Sequence, residues 1–381
     1  MLSGEQISEL RTCFPILSEK TYLYNCSQGA LSSATSAGMQ AFMESWRHAP
    51  APWNDWVSEY ESMRSDFARF IGAEPDEIAI LTSASAGINM VANAIDFRRR
   101  PKVVMGEYEF PTMGQIWLAQ QARSAQIEFL DSANNTIPLE AYEKAIDERT
   151  AIVPLTEVSF LNGFRSDVGA ITQMAHERGA LVFVDGYQDC GTRPIDVKAA
   201  DLDIYVTGTL KYLLGPPGLA FLYVKRSLIG ELNPTLTSWM AQRDVFAFDT
   251  KRLDPACEAR RFEGGSPAMP SIYAGRPGLR LLTDIGMQNV ADQISALTRS
   301  FLQGIRTLGI ASKTPATSVG PLVVVKSNDA ATLTSKLNER GVLVSARLDG
   351  VRFSFHVYND LSDVDAALTA LEANIGLTIR V

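Results

Sequence analysis

Two residues of this chain stand where an amine and a carboxylate could work together. Over residues 180–211 the sequence reads ALVFVDGYQDCGTRPIDVKAADLDIYVTGTLK. An apolar run ends in Asp185, Gln188 follows three residues later, a second run ends near Thr207, and Lys211 sits in a turn of small residues, GTLKYLLGPPG. If both runs are strands of one parallel sheet, Asp185 and Lys211 converge on one crevice, because ligands of such sheets bind at the carboxyl ends of the strands. That pair suits pyridoxal 5'-phosphate. The amine forms a Schiff base with the aldehyde, and the carboxylate keeps the pyridine nitrogen protonated, so that the ring draws electrons from a substrate's α-carbon. Taken singly, Asp185 could be a loop cap and Lys211 a solvated surface lysine.

Two further segments add to the pair. TSASAGIN, residues 82–89, joins an apolar run to a helical pattern. A helix start presents free N–H groups to an anion, and Ser83 and Ser85 could bond a phosphate; the same residues also make an ordinary N-cap. Near the C-terminus, VRFSFHVYND puts Arg352, Ser354 and His356 on one face of an alternating strand. Arg352 could clamp a carboxylate with two parallel hydrogen bonds or form a surface ion pair. His356 reads as structural.

The elements that must carry these residues follow from periodicity. Strands are expected at 77–81, 102–106, 151–158, 180–185, 202–207 and 219–224. A helix is expected in DVGAITQMAHERG, residues 167–179, where Val168, Ile171, Met174 and Ala175 recur at helical spacing. Runs that are apolar throughout and joined by helices predict an α/β fold with a mostly parallel sheet covered on both faces. The enclosing helices are expected at 32–46 and 56–71. The C-terminal third predicts a smaller α+β unit: a helix near 285–308, a strand at 322–326, a helix at 330–340, and strands near 342–345 and 351–357. A last helix follows Leu361, with Ser362 and Asp365 as a capping box. The expected division is an N-terminal segment 1–20, a large domain 21–255 and a small domain 256–381.

Composition removes other classes. With 381 residues, 46% of them hydrophobic, the chain can bury a sizeable core, and a net charge of -8 argues against a nucleic-acid footprint. No apolar run is long enough for a membrane span, and MLSGEQISELR has no signal-peptide pattern. The four cysteines (Cys13, Cys26, Cys190 and Cys257) form no CxxC pair and read as reduced thiols of a cytoplasmic protein. The three histidines show no zinc spacing, so no metal is expected. GxGxxG, P-loop and GxSxG motifs are absent.

The run VDGYQ…G..PIDV….D.D…..TLKYLLGPPG resembles the class V aminotransferase group of fold-type-I pyridoxal-phosphate enzymes, which includes cysteine desulfurases, selenocysteine lyases, kynureninases and isopenicillin N epimerases. The resemblance covers nearly the whole chain from Tyr22 onward. It implies a large domain with a mostly parallel, seven-stranded type of sheet. It makes Lys211 the Schiff-base lysine, Asp185 the pyridinium partner and Gln188 the partner of the cofactor's phenolic oxygen. Ala84, through its N–H, and Ser85 would hold the phosphate, with Thr207 and Thr209 as further candidates. Phe110 in EFPTM would stack on the ring. FEGGSPAMP would reach a partner subunit in a homodimer, where Gly265 and Ser266 touch phosphate. Arg352 would bind the substrate α-carboxylate, and Asn25, Gln28 and Asn162 fall in segments lining the substrate side.

Departures bear on the reaction. Desulfurases carry histidine before the lysine, where this chain has Leu210, and a reactive cysteine shortly before the arginine, where only ARLDGV separates Ser345 from Arg352. Glu157 stands where many relatives have histidine. Cys26, near the expected site mouth, and Cys190 read as packed residues. The reading favours an aminotransferase acting on an α-amino acid, with a carbon–sulfur lyase second and an epimerase third. The alternative from another class is a non-enzymatic protein that binds the cofactor or an amino acid.

Overall fold

The computed structural model describes residues 2–317 and 319–381. A short strand, β1 (Thr21–Tyr22), precedes seven strands that form one sheet. These are β2 (Ile78–Leu81), β3 (Lys102–Gly106), β4 (Gln126–Leu130), β5 (Thr150–Thr156), β6 (Leu181–Asp185), β7 (Ile204–Gly208) and β8 (Ala220–Val224). Their order is β2-β8-β7-β6-β5-β3-β4, and only β8 runs against the rest. β5, β7 and β8 are buried at every position, as strands covered on both faces must be.

Alternate residues enter two separate cores. Val182, Val184, Tyr205 and Phe221 pack beneath helices Ser33–His48, Trp53–Phe70, Val168–Glu177 and Met269–Ile285. Phe183, Val206 and Leu222 pack beneath helices Ala84–Ala94 and Pro111–Ala119. This parity decides where the polar residues at the strand ends point.

The smaller sheet has the order β11-β12-β9, with β9 at Leu322–Lys326, β11 at Ser345–Arg347 and β12 at Gly350–Ser354, all antiparallel. β10 (Val342–Leu343) pairs in parallel with β1, so Thr21 and Tyr22 join this unit. Helices Met287–Thr307, Ala330–Glu339 and Leu361–Glu372 close its core. Among the described residues no helix is long and apolar enough to cross a membrane.

Several elements differ from the periodicity reading. β4 was not expected, because QIEFL lies at the sheet edge and is largely exposed, so its pattern lacks an apolar run. Helix Met269–Ile285 was hidden by Pro270 and Pro277. Its glycines serve close approach: a Cβ on Gly278 would stand 2.6 Å from the Leu213 carbonyl oxygen, so this helix presses on the backbone of the lysine turn. The stretch near 285–308 belongs to two helices that break at Gly286 (φ +85°). The last helix is capped by Asp360 with Asp363, not by Ser362 with Asp365.

Glu263, at the base of the GGSP loop, is fully enclosed. It accepts from Arg64 Nη1 (2.6 Å), the Tyr60 hydroxyl (2.5 Å) and the Ile80 N–H (2.9 Å). Removing one member of a buried ion pair strands the other charge. Glu263→Ala is therefore expected to lower unfolding stability by about 3 kcal/mol. Urea denaturation measures this, and an unchanged midpoint would remove Glu263 as the anchor of that loop.

Candidate active site

The carboxyl ends of β5 and β6, the turn after β7 and the start of helix Ala84–Ala94 surround a cavity of about 240 Å³. Ser85, Phe110, Thr156, Asp185, Gln188 and Lys211 all line it. The turn from β7 to β8 returns antiparallel without a crossover helix, which keeps the Lys211 loop short.

Asp185 continues the Phe183 face of β6 into the cavity. Its Oδ1 accepts the Tyr187 N–H (2.9 Å). Burial raises its pKa, opposed by that N–H and by the Lys211 charge. The Lys211 Nζ lies 4.5 Å from the Tyr187 ring centre and 5.9 Å from that of Phe110. Burial brings the amine down to about 8, with Asp185 opposing and Arg352 and Arg347 adding to the fall. A lysine poised there exchanges its proton near neutral pH.

Gln188 donates from Nε2 to the Cys26 carbonyl (2.9 Å), while its buried Oε1 has no partner in the chain. Phe110 is 42% exposed and meets Phe160 edge-on at 5.0 Å, leaving a ring face open over the cavity. Ser83, the N-cap, accepts the Ala86 N–H (3.1 Å). The N–H groups of Ala84 and Ser85 have no acceptor among the described residues, as the first turn of a helix dictates.

Arg352, on β12, does not itself line this cavity but bonds the carbonyl of Phe160, which does. It is 1% exposed, yet all its partners are neutral: Ser27 Oγ (2.7 Å), Ser345 Oγ (2.9 Å from Nη2 and 3.1 Å from Nε) and the Phe160 carbonyl (3.2 Å). A buried guanidinium normally has a carboxylate beside it. Among the described residues no carboxylate pairs with this one.

Other expected residues fall outside this cluster. Thr207 shares the parity of Tyr205, so its buried hydroxyl lies on the opposite face of the sheet from Asp185, interacting with Cys190. The Thr209 hydroxyl is engaged by the Pro216 carbonyl (2.7 Å). Asn25 holds Ser354 and Tyr358, and Asn162 holds the Asn135 carbonyl and the Phe164 N–H. Gln28 is exposed. Gly265 and Ser266 do not line the cavity of their own chain, and Ser266 is exposed.

The structure also gives roles to residues for which the sequence had suggested none. Tyr187, Phe160 and Thr156 line the cavity, and Ser27 and Ser345 seat Arg352. Tyr187 lies within VDGYQ, so an aromatic beside the expected carboxylate was a usable signal. The two serines carried none. His356 accepts the Val357 N–H on Nδ1 (2.7 Å), and its Nε2 donates to the Tyr212 carbonyl (2.9 Å). Burial lowers its pKa to about 4, so it is a neutral support behind the lysine turn. Cys26 is buried, with Sγ 3.8 Å from Ser345 Oγ, and burial pushes the Cys190 thiol up to about 12. Glu157 points to the far face, where it joins Arg193, Asp189 and Arg165.

The fold is that of the fold-type-I pyridoxal-phosphate enzymes. The chain matches the family described as Aminotransferase class-V over residues 39–367. It is 31% identical over 366 residues to the uncharacterized aminotransferase YcbU of Bacillus subtilis (strain 168), covering 96% of this chain and 97% of that one. It is 28% identical over 338 residues to a probable cysteine desulfurase of Pyrococcus abyssi (strain GE5 / Orsay), covering 83% of each. Among solved structures, an apo cysteine desulfurase from Thermococcus onnurineus NA1 superposes with a TM-score of 0.88 at 23% identity, covering 99% of both chains. A cystine C–S lyase, C-DES, solved with its product cysteine persulfide, gives 0.88 at 21% identity, covering 94% of this chain and 99% of that one. The chain therefore belongs to the aminotransferase class-V family, whose cofactor is pyridoxal 5'-phosphate. The cavity fits that group: two free N–H groups for an anion, an open aromatic face, an orphaned amide oxygen, and a carboxylate and an amine that share one wall.

Proposed function

We propose that the chain is an aminotransferase that exchanges the amino group of an α-amino acid for an oxo group. The observation that carries this reading is Arg352, an enclosed guanidinium with only neutral partners, within electrostatic reach of the Lys211 amine. Bound pyridoxal phosphate would supply an aldehyde to hold the amine and a ring to take up electrons from the α-carbon. Asp185 would hold the ring nitrogen, Gln188 the phenolic oxygen, Phe110 the ring face, and Ala84 and Ser85 the phosphate. Arg352 would fix the substrate carboxylate and so aim the α-carbon hydrogen at Lys211 Nζ, which removes and returns that proton.

The aminotransferase reading is preferred over a desulfurase because no cysteine lies between Ser345 and Arg352 and because Leu210 precedes the lysine. A carbon–sulfur lyase is the second reading, favoured by the names of several relatives. The test is product analysis with a panel of amino acids and an oxo-acid acceptor. Matched oxo-acid and amino-acid products support amino transfer. Pyruvate and ammonia with released sulfide would replace it with the lyase.

We place the protein in the cytoplasm, where its four unpaired cysteines stay reduced. We take it to act as a homodimer, in which Gly265 and the exposed Ser266 contact the phosphate of the second copy's site. A monomer with full activity in sedimentation would overturn this arrangement.

The Lys211 proton gives a pH prediction. Only the neutral amine attacks the cofactor's aldehyde, and with a pKa near 8 it is protonated below that value. The rate at which apoprotein takes up pyridoxal phosphate should rise roughly tenfold per pH unit up to about 8 and then level off. Stopped-flow absorbance measures it, and a flat profile from pH about 6 to 9 would contradict the lowered amine.

A further inference from the structure

A second guanidinium rises beside Arg352. In the β11–β12 hairpin Ser345 stands opposite Arg352, and Arg347 stands opposite Gly350. Residues two apart on a strand share a face, so Ser345, Arg347 and Arg352 lie on the same side of this hairpin. Arg352 on that face bonds Ser27 and the Phe160 carbonyl, so the face is turned toward the substrate side of the cavity. Gly350 puts no side chain across from Arg347. Arg347 is exposed and donates from Nη1 to the carbonyl of its neighbour Ala346 (2.8 Å). The carboxylate closest in sequence, Asp349, is held by Lys313. Among the described residues neither arginine has a carboxylate partner.

The charges also feel one another. Burial, then the positive charge of Arg352, lowers the Arg347 guanidinium, and both arginines depress the Lys211 amine. Three cationic groups thus share one field, and Asp185 is the carboxylate that offsets the lysine. One substrate carboxylate would answer Arg352 and leave Arg347 without a counter-charge.

Resting on the reading of Arg352 and Lys211 above, we propose that Arg347 binds a second anionic group of the substrate, so that this enzyme prefers acidic α-amino acids. The α-carboxylate lies on Arg352 and the side-chain carboxylate on Arg347. A planar guanidinium matches a carboxylate in a fork that a neutral side chain cannot use, and a cationic side chain is repelled.

Holoenzyme titrated with L-aspartate, L-glutamate, L-alanine and L-lysine, followed by the visible absorption of bound pyridoxal phosphate and by kcat/KM, tests the proposal. Calorimetry with succinate and with propionate reads the same site without turnover. Acidic over neutral amino acids, and succinate over propionate, should be favoured by roughly tenfold to a hundredfold. Arg347→Gln should bring both ratios close to one, and Arg347→Lys should keep part of them. A wild-type preference for alanine, or ratios unchanged in Arg347→Gln, would overturn the role of Arg347 and leave Arg352 and Lys211 as assigned. No response to any amino acid would take down both readings.

Discussion

Lys211→Ala is expected to abolish amino-acid turnover while the protein still takes up pyridoxal phosphate. The loss should be roughly 10,000-fold or more, because in the proposed function one side chain would serve both as the cofactor's anchoring amine and as the proton carrier at the α-carbon. Cofactor binding should survive because the other contacts proposed for it come from different elements: Asp185 at the end of β6, Gln188 in the next turn, and the N–H groups that open helix Ala84–Ala94. Lys211→Arg separates charge from proton transfer. It keeps a cation near Asp185 but cannot lose its proton near neutral pH, so it should be as inactive as the alanine variant. Cofactor content after desalting and single-turnover rates are the measurements. Turnover within tenfold of the parent protein would move the base elsewhere.

Arg352→Ala should cost roughly a hundredfold in kcat/KM, mostly as a raised KM, with cofactor uptake unchanged. A charged, hydrogen-bonded contact to a carboxylate contributes about 1.5–3 kcal/mol, and at Arg352 it would be made away from water. Folding should tolerate the change better than loss of Arg64 or Glu263, since the groups around Arg352 are hydroxyls and one carbonyl rather than a partner carboxylate. The hydroxyls of Ser27 and Ser345 can bond water in the space left behind. Arg352→Lys should recover part of the binding, without the parallel fork. An unchanged KM would place the carboxylate site elsewhere and remove the basis for aiming the substrate at Lys211.

Much of the site was legible because the strands that carry it are apolar at every position. Asp185 interrupts such a run at its end, and a charge there must face a cavity or a partner. The helix start at Ser83 and the alternation around Arg352 were legible for similar local reasons. What stayed hidden depends on register and on partners distant in sequence. Thr207 lies in the right strand, but β6 and β7 align so that Asp185 stands beside Val206, which turns Thr207 to the other face. Asn25 and Asn162 lie in the expected segments, yet backbone groups engage their amides. That Arg352 lacks a carboxylate is a property of the assembled fold alone. β4 escaped notice because an edge strand needs no apolar run, and helix Met269–Ile285 because its prolines read as breaks.

The N-terminal strip sets a timetable for folding. Asn25 Nδ2 donates to the Ser354 carbonyl (2.7 Å), the Cys26 N–H donates to Ser354 Oγ (2.9 Å), and Ser27 meets Arg352, joining residues 325 to 329 positions apart. Gln188, from the middle of the chain, holds the Cys26 carbonyl within the same strip. Contacts closed over such separations form late, after the sheet and helices have nearest neighbours to pack against. On the ribosome, residues 21–30 must wait for nearly the whole chain before their β12 partners exist. The lysine turn waits with them, because the Gly29 N–H bonds the Leu210 carbonyl and His356 bonds the Tyr212 carbonyl. The two walls of the cavity are therefore expected to close together, in the same late step that docks residues 21–30 against β12 and the lysine turn.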